Sequence, residues 1–93
     1  MSENYAYPLE PEWKIEEITT VVALYTAVET AYLNGIDRQL FLQQYHEFKQ
    51  IVKSKAEEKQ LTKKFLQSSG FDIYVAVKAA QTSNAKRIGP LNK

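Results

Sequence analysis

The chain has 93 residues, 44% hydrophobic and 25% charged, close to the averages for globular domains, which excludes wholesale disorder and points to one domain with one modest core. It contains no cysteine, which removes disulfide staples, thiolate metal sites and cysteine nucleophiles together and suits a reducing interior. The net charge of +1 hides an asymmetry: residues 1–37 set Glu3, Glu10, Glu12, Glu16, Glu17, Glu29 and Asp37 against Lys14 alone, a balance of −6, whereas residues 38–93 carry +7.

Two readings of that asymmetry stand side by side: electrostatic complementarity between the halves within the fold, or a basic face kept for an anionic partner. No basic segment leads into an apolar run at the start, and no window approaches the roughly 18 apolar residues that a membrane span needs. A cytoplasmic location without membrane attachment is expected.

Residues 1–13 read as an extended arm. Pro8 and Pro11 each remove a backbone donor and bias the preceding residue away from helix. Tyr5, Tyr7, Leu9 and Trp13 are expected to lie over the helices as a lid, the alternative being a docking strand for a partner. From about residue 14 to 34, Ile15, Ile18, Val21, Val22, Leu24, Tyr25, Val28, Tyr32 and Leu33 recur with helical period and cover half the wheel, the mark of a central helix. Thr19, Thr20, Thr26 and Thr30 take the opposite side. Gly35 supplies the left-handed terminating position.

Asp37 is a suitable N-cap for a second helix over 37–52, and Ile36 before it is placed to staple against Phe41. The apolar arc gathers Leu40, Phe41, Tyr45, Phe48, Ile51 and Val52, with Gln44 as a polar member that needs a buried partner. Ser54 followed by Glu57 forms a capping-box pattern for a third helix, 55–69, ending at Gly70. Its apolar stripe is thin: Leu61, Phe65 and Leu66. Asp72 caps a fourth helix over 73–81, apolar nearly all round and therefore expected to be well buried. Residues 82–93 mix polar and basic residues with a Gly-Pro pair, without periodicity or an alternating run that marks a strand, and read as a mobile tail.

The feature least explained by packing is the cationic third helix. Lys55, Lys59 and Lys63 recur every four residues on one stripe, flanked by Lys49, Lys53 and Lys64. None has a glutamate four positions ahead of it. Lys53, Lys55, Lys59 and Lys63 are thus the candidate interaction surface; a solvated face partly neutralised by acids of the first helix is the plainer alternative. Glu29, Gln44 and Glu58 fall on apolar arcs and are the candidate buried polar residues, each requiring a lysine, a tyrosine hydroxyl or a similar partner.

Catalytic parts are missing from the pattern. The one histidine, His46, falls opposite the apolar arc of its helix, and no glycine-rich phosphate loop or serine elbow occurs. Inward Glu-x-x-His pairs of the kind used in helical dimetal sites are absent as well. No metal and no cofactor are expected. A carboxylate-based enzyme would need Glu29 and Glu58 to meet at an open cleft.

These marks, in this order, resemble an uncharacterised family of small proteins from low-GC Gram-positive bacteria, family 0223. The resemblance rests on Tyr7-Pro8-Leu9, Trp13, Val28-Glu29 with Tyr32, Tyr45, Phe48-Lys49, Ile51-Val52, Lys55-Ala56-Glu57-Glu58-Lys59, and Ser69-Gly70-Phe71 with Tyr74-Val75-Ala76-Val77. It covers about residues 5–80 and implies an all-helical fold with no established activity. Lys53 stands where the family usually has proline, adding a positive charge beside Lys55. Phe71 stands where it usually has tyrosine, so no role for a phenol carries over there.

The expectation is an all-α single domain, residues 1–81, a small bundle of about four helices with an extended aromatic N-terminal arm. Its expected role is non-enzymatic: an accessory protein that binds a macromolecule, a protein in the first instance, through the lysine face of the third helix. An RNA-associated protein is the alternative, although a pI of about 7.9 and the interrupting Glu57 and Glu58 weaken the basic field that RNA binding calls for.

Overall fold

A computed structural model of the chain describes residues 7–92. Its elements in order are α1 (Ile15–Leu33), β1 (Ile36–Asp37), α2 (Arg38–Ile51), α3 (Lys55–Ser69), α4 (Ile73–Thr82) and β2 (Arg87–Ile88). The all-helical expectation holds, and three of the four helices start where a short polar side chain accepts from the first-turn amides. Asp37 accepts from Leu40 N–H, Ser54 from Ala56 and Glu57 N–H, and Asp72 from Tyr74 and Val75 N–H. Among the described residues Glu57 makes no return bond to Ser54, so only the forward half of the expected capping box forms. At the start of α1 it is the reverse half that operates, Lys14 N–H donating to Glu17 Oε1 at 2.8 Å.

The threonines of α1 are accommodated by bonding backwards: Thr19, Thr20 and Thr30 hydroxyls donate to the carbonyls four residues earlier, which satisfies them on the helix surface. The helix closes through Asn34 and Gly35, whose N–H groups both donate to Thr30 O at 2.8 Å. Gly35 has φ +87°, the left-handed conformation that a side chain disfavours.

The core is a continuous cluster. Val21, Leu24, Tyr25, Val28 and Ala31 of α1 meet Phe41 and Phe48 of α2, Leu61 and Phe65 of α3, and Ile73, Ala76 and Ala80 of α4. Tyr25 stacks on Phe65 with ring centroids 4.8 Å apart, and Tyr32 stacks on Phe71 at the same separation. α1 packs chiefly on α2, and α4 touches α1, α2 and α3. The short fourth helix thus closes the gap that the longer ones leave.

The arm lies over this core as expected where it is described. Tyr7 sits with its ring centroid 5.3 Å from that of Tyr25, the Tyr25 hydroxyl donates to Pro8 O at 2.7 Å, and Trp13 is buried. Leu9 is the exception, exposed rather than covered. Tyr5 lies outside the described residues.

Two expectations are corrected. Residues 83–92 are docked rather than loose: β2 pairs antiparallel with β1, Ile36 opposite Ile88 and Asp37 opposite Arg87. Ile88 is buried and Leu91 packs against the core. Arg38 N–H donates to Lys86 O, Leu91 N–H to Ala31 O, and the Arg38 guanidinium to Ala80 O at the end of α4. Two apolar side chains, the β1–β2 pairing and the bonds at Lys86 and Leu91 offset the entropy of fixing the segment, and the pairing is too distant along the chain to leave a local sequence signature. The second correction concerns α4, which is not buried all round. Ile73, Ala76, Val77 and Ala80 face the core, while Tyr74 is 62% exposed and Val75 40%. A helix against three neighbours on one side still presents its other side to water.

Candidate binding groove between the third and fourth helices

The cationic stripe lines a groove. Lys55, Glu58, Lys59, Thr62, Lys63 and Leu66 of α3 face Asp72, Tyr74, Val77 and Gln81 at and along α4, with Tyr45 of α2 at one end, around a volume of about 700 Å³. The local cause is the thinness of the apolar stripe on α3. Leu61 and Phe65 are drawn into the core, and beyond them the helix offers only Leu66, which stays 41% exposed. α4 then meets α3 along one edge and leaves a furrow with an apolar floor of Leu66, Val77 and the Tyr74 ring.

The acids of the groove are already engaged. Glu58 accepts from the Tyr45 hydroxyl at 2.7 Å through one carboxylate oxygen and from Lys49 through the other. Asp72 is committed to the α4 amides. Burial, and then the hydrogen bond and charge of Glu58, push the Tyr45 hydroxyl well above the usual phenol range, so it serves as a neutral donor. Among the described residues no carboxylate oxygen comes within 4 Å of the ammonium of Lys55, Lys59 or Lys63; the Lys49–Glu58 contact is the one ion pair described. The three lysines line the groove and are exposed, without a described intramolecular ion pair.

Lys53 is exposed just before α3 and does not line the groove. Of the residues expected to be buried and polar, none reaches full burial: Glu29, Gln44 and Glu58 are all half-buried at the edge of the core. Amphipathic position on a helix wheel places a long polar side chain over the rim, from where its head reaches outward. Both glutamates have tyrosine partners, Glu29 receiving the Tyr7 hydroxyl at 2.8 Å. Burial, with Glu29 adding to it, raises the Tyr7 phenol as well. Glu58 lines the groove and Glu29 does not. His46 is exposed on α2, and among the described residues no three of His, Cys, Asp and Glu gather as a metal-ligand set.

Sequence reasoning missed Tyr45, Asp72, Tyr74, Val77 and Gln81 as groove residues. By sequence α4 reads as apolar nearly all round, and only its packing decides which face is free. One local signal was Lys78, four residues after Tyr74; its ammonium lies over the Tyr74 ring, 5.9 Å from the centroid.

The fold and groove together define a small all-helical domain with a basic, apolar-floored furrow and no helix, among the described residues, long and apolar enough to cross a membrane. The model of the uncharacterised protein family UPF0223 matches residues 4–89, and the chain belongs to that family. Its relatives include a UPF0223 protein of Streptococcus agalactiae serotype V, 51% identical over 81 residues and covering 87% of each chain. A Streptococcus thermophilus relative is 51% identical over 78 residues, 84% of each chain. One from Lactococcus lactis subsp. cremoris is 42% identical over 86 residues, 92% of each chain.

Proposed function

We propose that this protein is a non-enzymatic cytoplasmic docking protein that binds another protein through the α3–α4 groove. The observation that carries this reading is the arrangement of Lys55, Lys59 and Lys63: three exposed cations on one wall with no carboxylate among the described residues within 4 Å of their ammonium groups, beside exposed Leu66 and Tyr74. An apolar floor supplies affinity, and an uncompensated charged wall supplies orientation and choice of partner.

The test is affinity capture from the native cell with an amine-reactive crosslinker, comparing the natural chain with K55E/K59E/K63E. The expected result is crosslinked peptides containing these lysines and loss of the captured protein in the reversed variant. An unchanged set of captured proteins would sink the reading. Capture that disappears on nuclease treatment, with affinity falling steeply as salt rises, would instead favour an RNA partner.

A further inference from the structure

The acidic half of the molecule has a surface that matches the groove. At the start of α1, Ile15 is 80% exposed, the most exposed large apolar side chain described, and Leu9 is 44% exposed. In sequence they are flanked by half-buried Glu10 and exposed Glu12 and Glu16, whose carboxylates make no ion pair among the described residues. Lys14 is the one cation on this edge, and Glu17 is occupied by the Lys14 backbone N–H. The fold gives Ile15 nothing to do. An exposed apolar tip with acids beside it in the chain and an apolar furrow walled by lysines are complementary in both charge and hydropathy.

We infer that a second copy of this chain docks in the groove, placing its α1 start against the Lys55–Lys59–Lys63 wall and its Ile15 toward Leu66 and Tyr74. The inference rests on the groove being a docking site and names an occupant for it. Opposite charges of the two halves, which make no described ion pair within one copy, thereby find each other between copies. On α3 the lysines span about 12 Å at 1.5 Å per residue, and the acids offered to them come from the turn at Glu12 and from the first turn of α1 at Glu16.

The two surfaces are different patches, so the contact is heterologous: every copy offers one groove and one acidic edge, and association continues into open chains or closes into rings. The patches are small, which places the affinity at the weak end of protein interfaces. Opposite exposed charges make it weaker as salt rises.

The experiment is sedimentation velocity with light scattering at low salt, from about 10 µM to 1 mM, on the natural chain, K55E/K59E/K63E, E12K/E16K and I15S. Circular dichroism confirms that each variant is folded. The average mass of the natural chain is expected to climb above 10.7 kDa with concentration and to fall back at 0.5 M salt. Each charge-reversed variant alone should associate at least tenfold more weakly, I15S should weaken association without changing charge, and a mixture of the two reversed variants should regain it. A natural chain that stays monomeric throughout, or reversed variants that fail to recover on mixing, would overturn the second-copy inference. If the chain is monomeric yet K55E/K59E/K63E loses its captured cellular protein, the groove reading survives and only its occupant is wrong. Self-association that persists undiminished in K55E/K59E/K63E moves the contact elsewhere on the surface and overturns the inference.

Discussion

The docked C-terminal segment hinges on Gly89, and replacing it with alanine tests whether that docking stabilises the domain. Gly89 has φ +87°, and a Cβ built on it lies 2.1 Å from Ala31 O, with Gly35 Cα 3.1 Å away. Alanine in the left-handed region costs about 1–2 kcal/mol on conformational grounds alone. The contact with a helix carbonyl is worse, because backbone of α1 does not move aside. The cheaper response of G89A is to release the segment.

Release exposes Ile88, worth about 1.5–3 kcal/mol when buried, and gives up the bonds from Leu91 N–H to Ala31 O and from Arg38 N–H to Lys86 O, about 0.5–1.5 kcal/mol each. Regained chain freedom returns part of that sum. The expected net loss is about 2 kcal/mol, a fall in Tm of about 10 °C for a domain of this size. Urea melts measure the loss, and hydrogen exchange locates it: Leu91 and Arg38 amides should lose protection while those in the middle of α1 keep theirs. A loss under about 0.5 kcal/mol with the Leu91 amide still protected would refute the reasoning.

Phe65→Ala removes a fully buried ring that stacks on Tyr25 and should cost about 3–5 kcal/mol in urea melts, whereas Ile15→Ser at the same helix bundle's rim should stay within about 0.5 kcal/mol in dilute solution. Asp72→Ala removes the acceptor for two α4 amides and should cost about 1 kcal/mol, seen as early loss of Tyr74 and Val75 amide protection. Four described phenols contribute to alkaline stability: burial raises Tyr7, Tyr25, Tyr32 and Tyr45 above the ordinary 10.0. The unfolded chain therefore sheds these protons at lower pH than the folded one, so stability is intact below pH 10 and falls as pH rises beyond it. Absorbance at 295 nm should show these tyrosines ionising together with loss of helical dichroism; stability that is flat or rising from pH 10 to 12 would count against the burial argument.

Helix positions were legible because their signals are local. Asp37, Ser54 and Asp72 each cap from within three residues, and Gly35 and Gly70 punctuate by backbone conformation. What the sequence left hidden is long-range. Ile88 looks like a stray apolar residue in a polar tail until Ile36 appears opposite it. Tyr74 and Val75 look like core because composition alone does not say which side of a short apolar helix meets its neighbours. The lysine stripe was readable from spacing, but the groove is assembled from α2, α3 and α4, and an assembled surface has no signature along one segment.

The stripe itself makes a claim about the balance of stability and function that a single substitution can settle. Lys59 has Lys55 one turn before it and Lys63 one turn after, and such like-charge neighbours destabilise a helix by about 0.2–0.5 kcal/mol per pair. Lys55 adds a second penalty as the first residue of α3, where the helix dipole disfavours a cation. Glu57 and Glu58 in the same first turn complement the dipole, but no described ion pair relieves the lysine–lysine repulsion, since Glu58 is taken by Lys49 and Tyr45. Lys59→Gln, which keeps helix propensity and length while relieving both repulsions, should therefore raise stability by about 0.5–1 kcal/mol and weaken whatever docks in the groove. That opposite movement is expected where a site is maintained against the interest of its own fold. Matched urea melts and binding titrations in low salt read both quantities. If K59Q destabilises the domain, the lysines are part of its internal electrostatics, and the groove loses its claim to be kept for a partner.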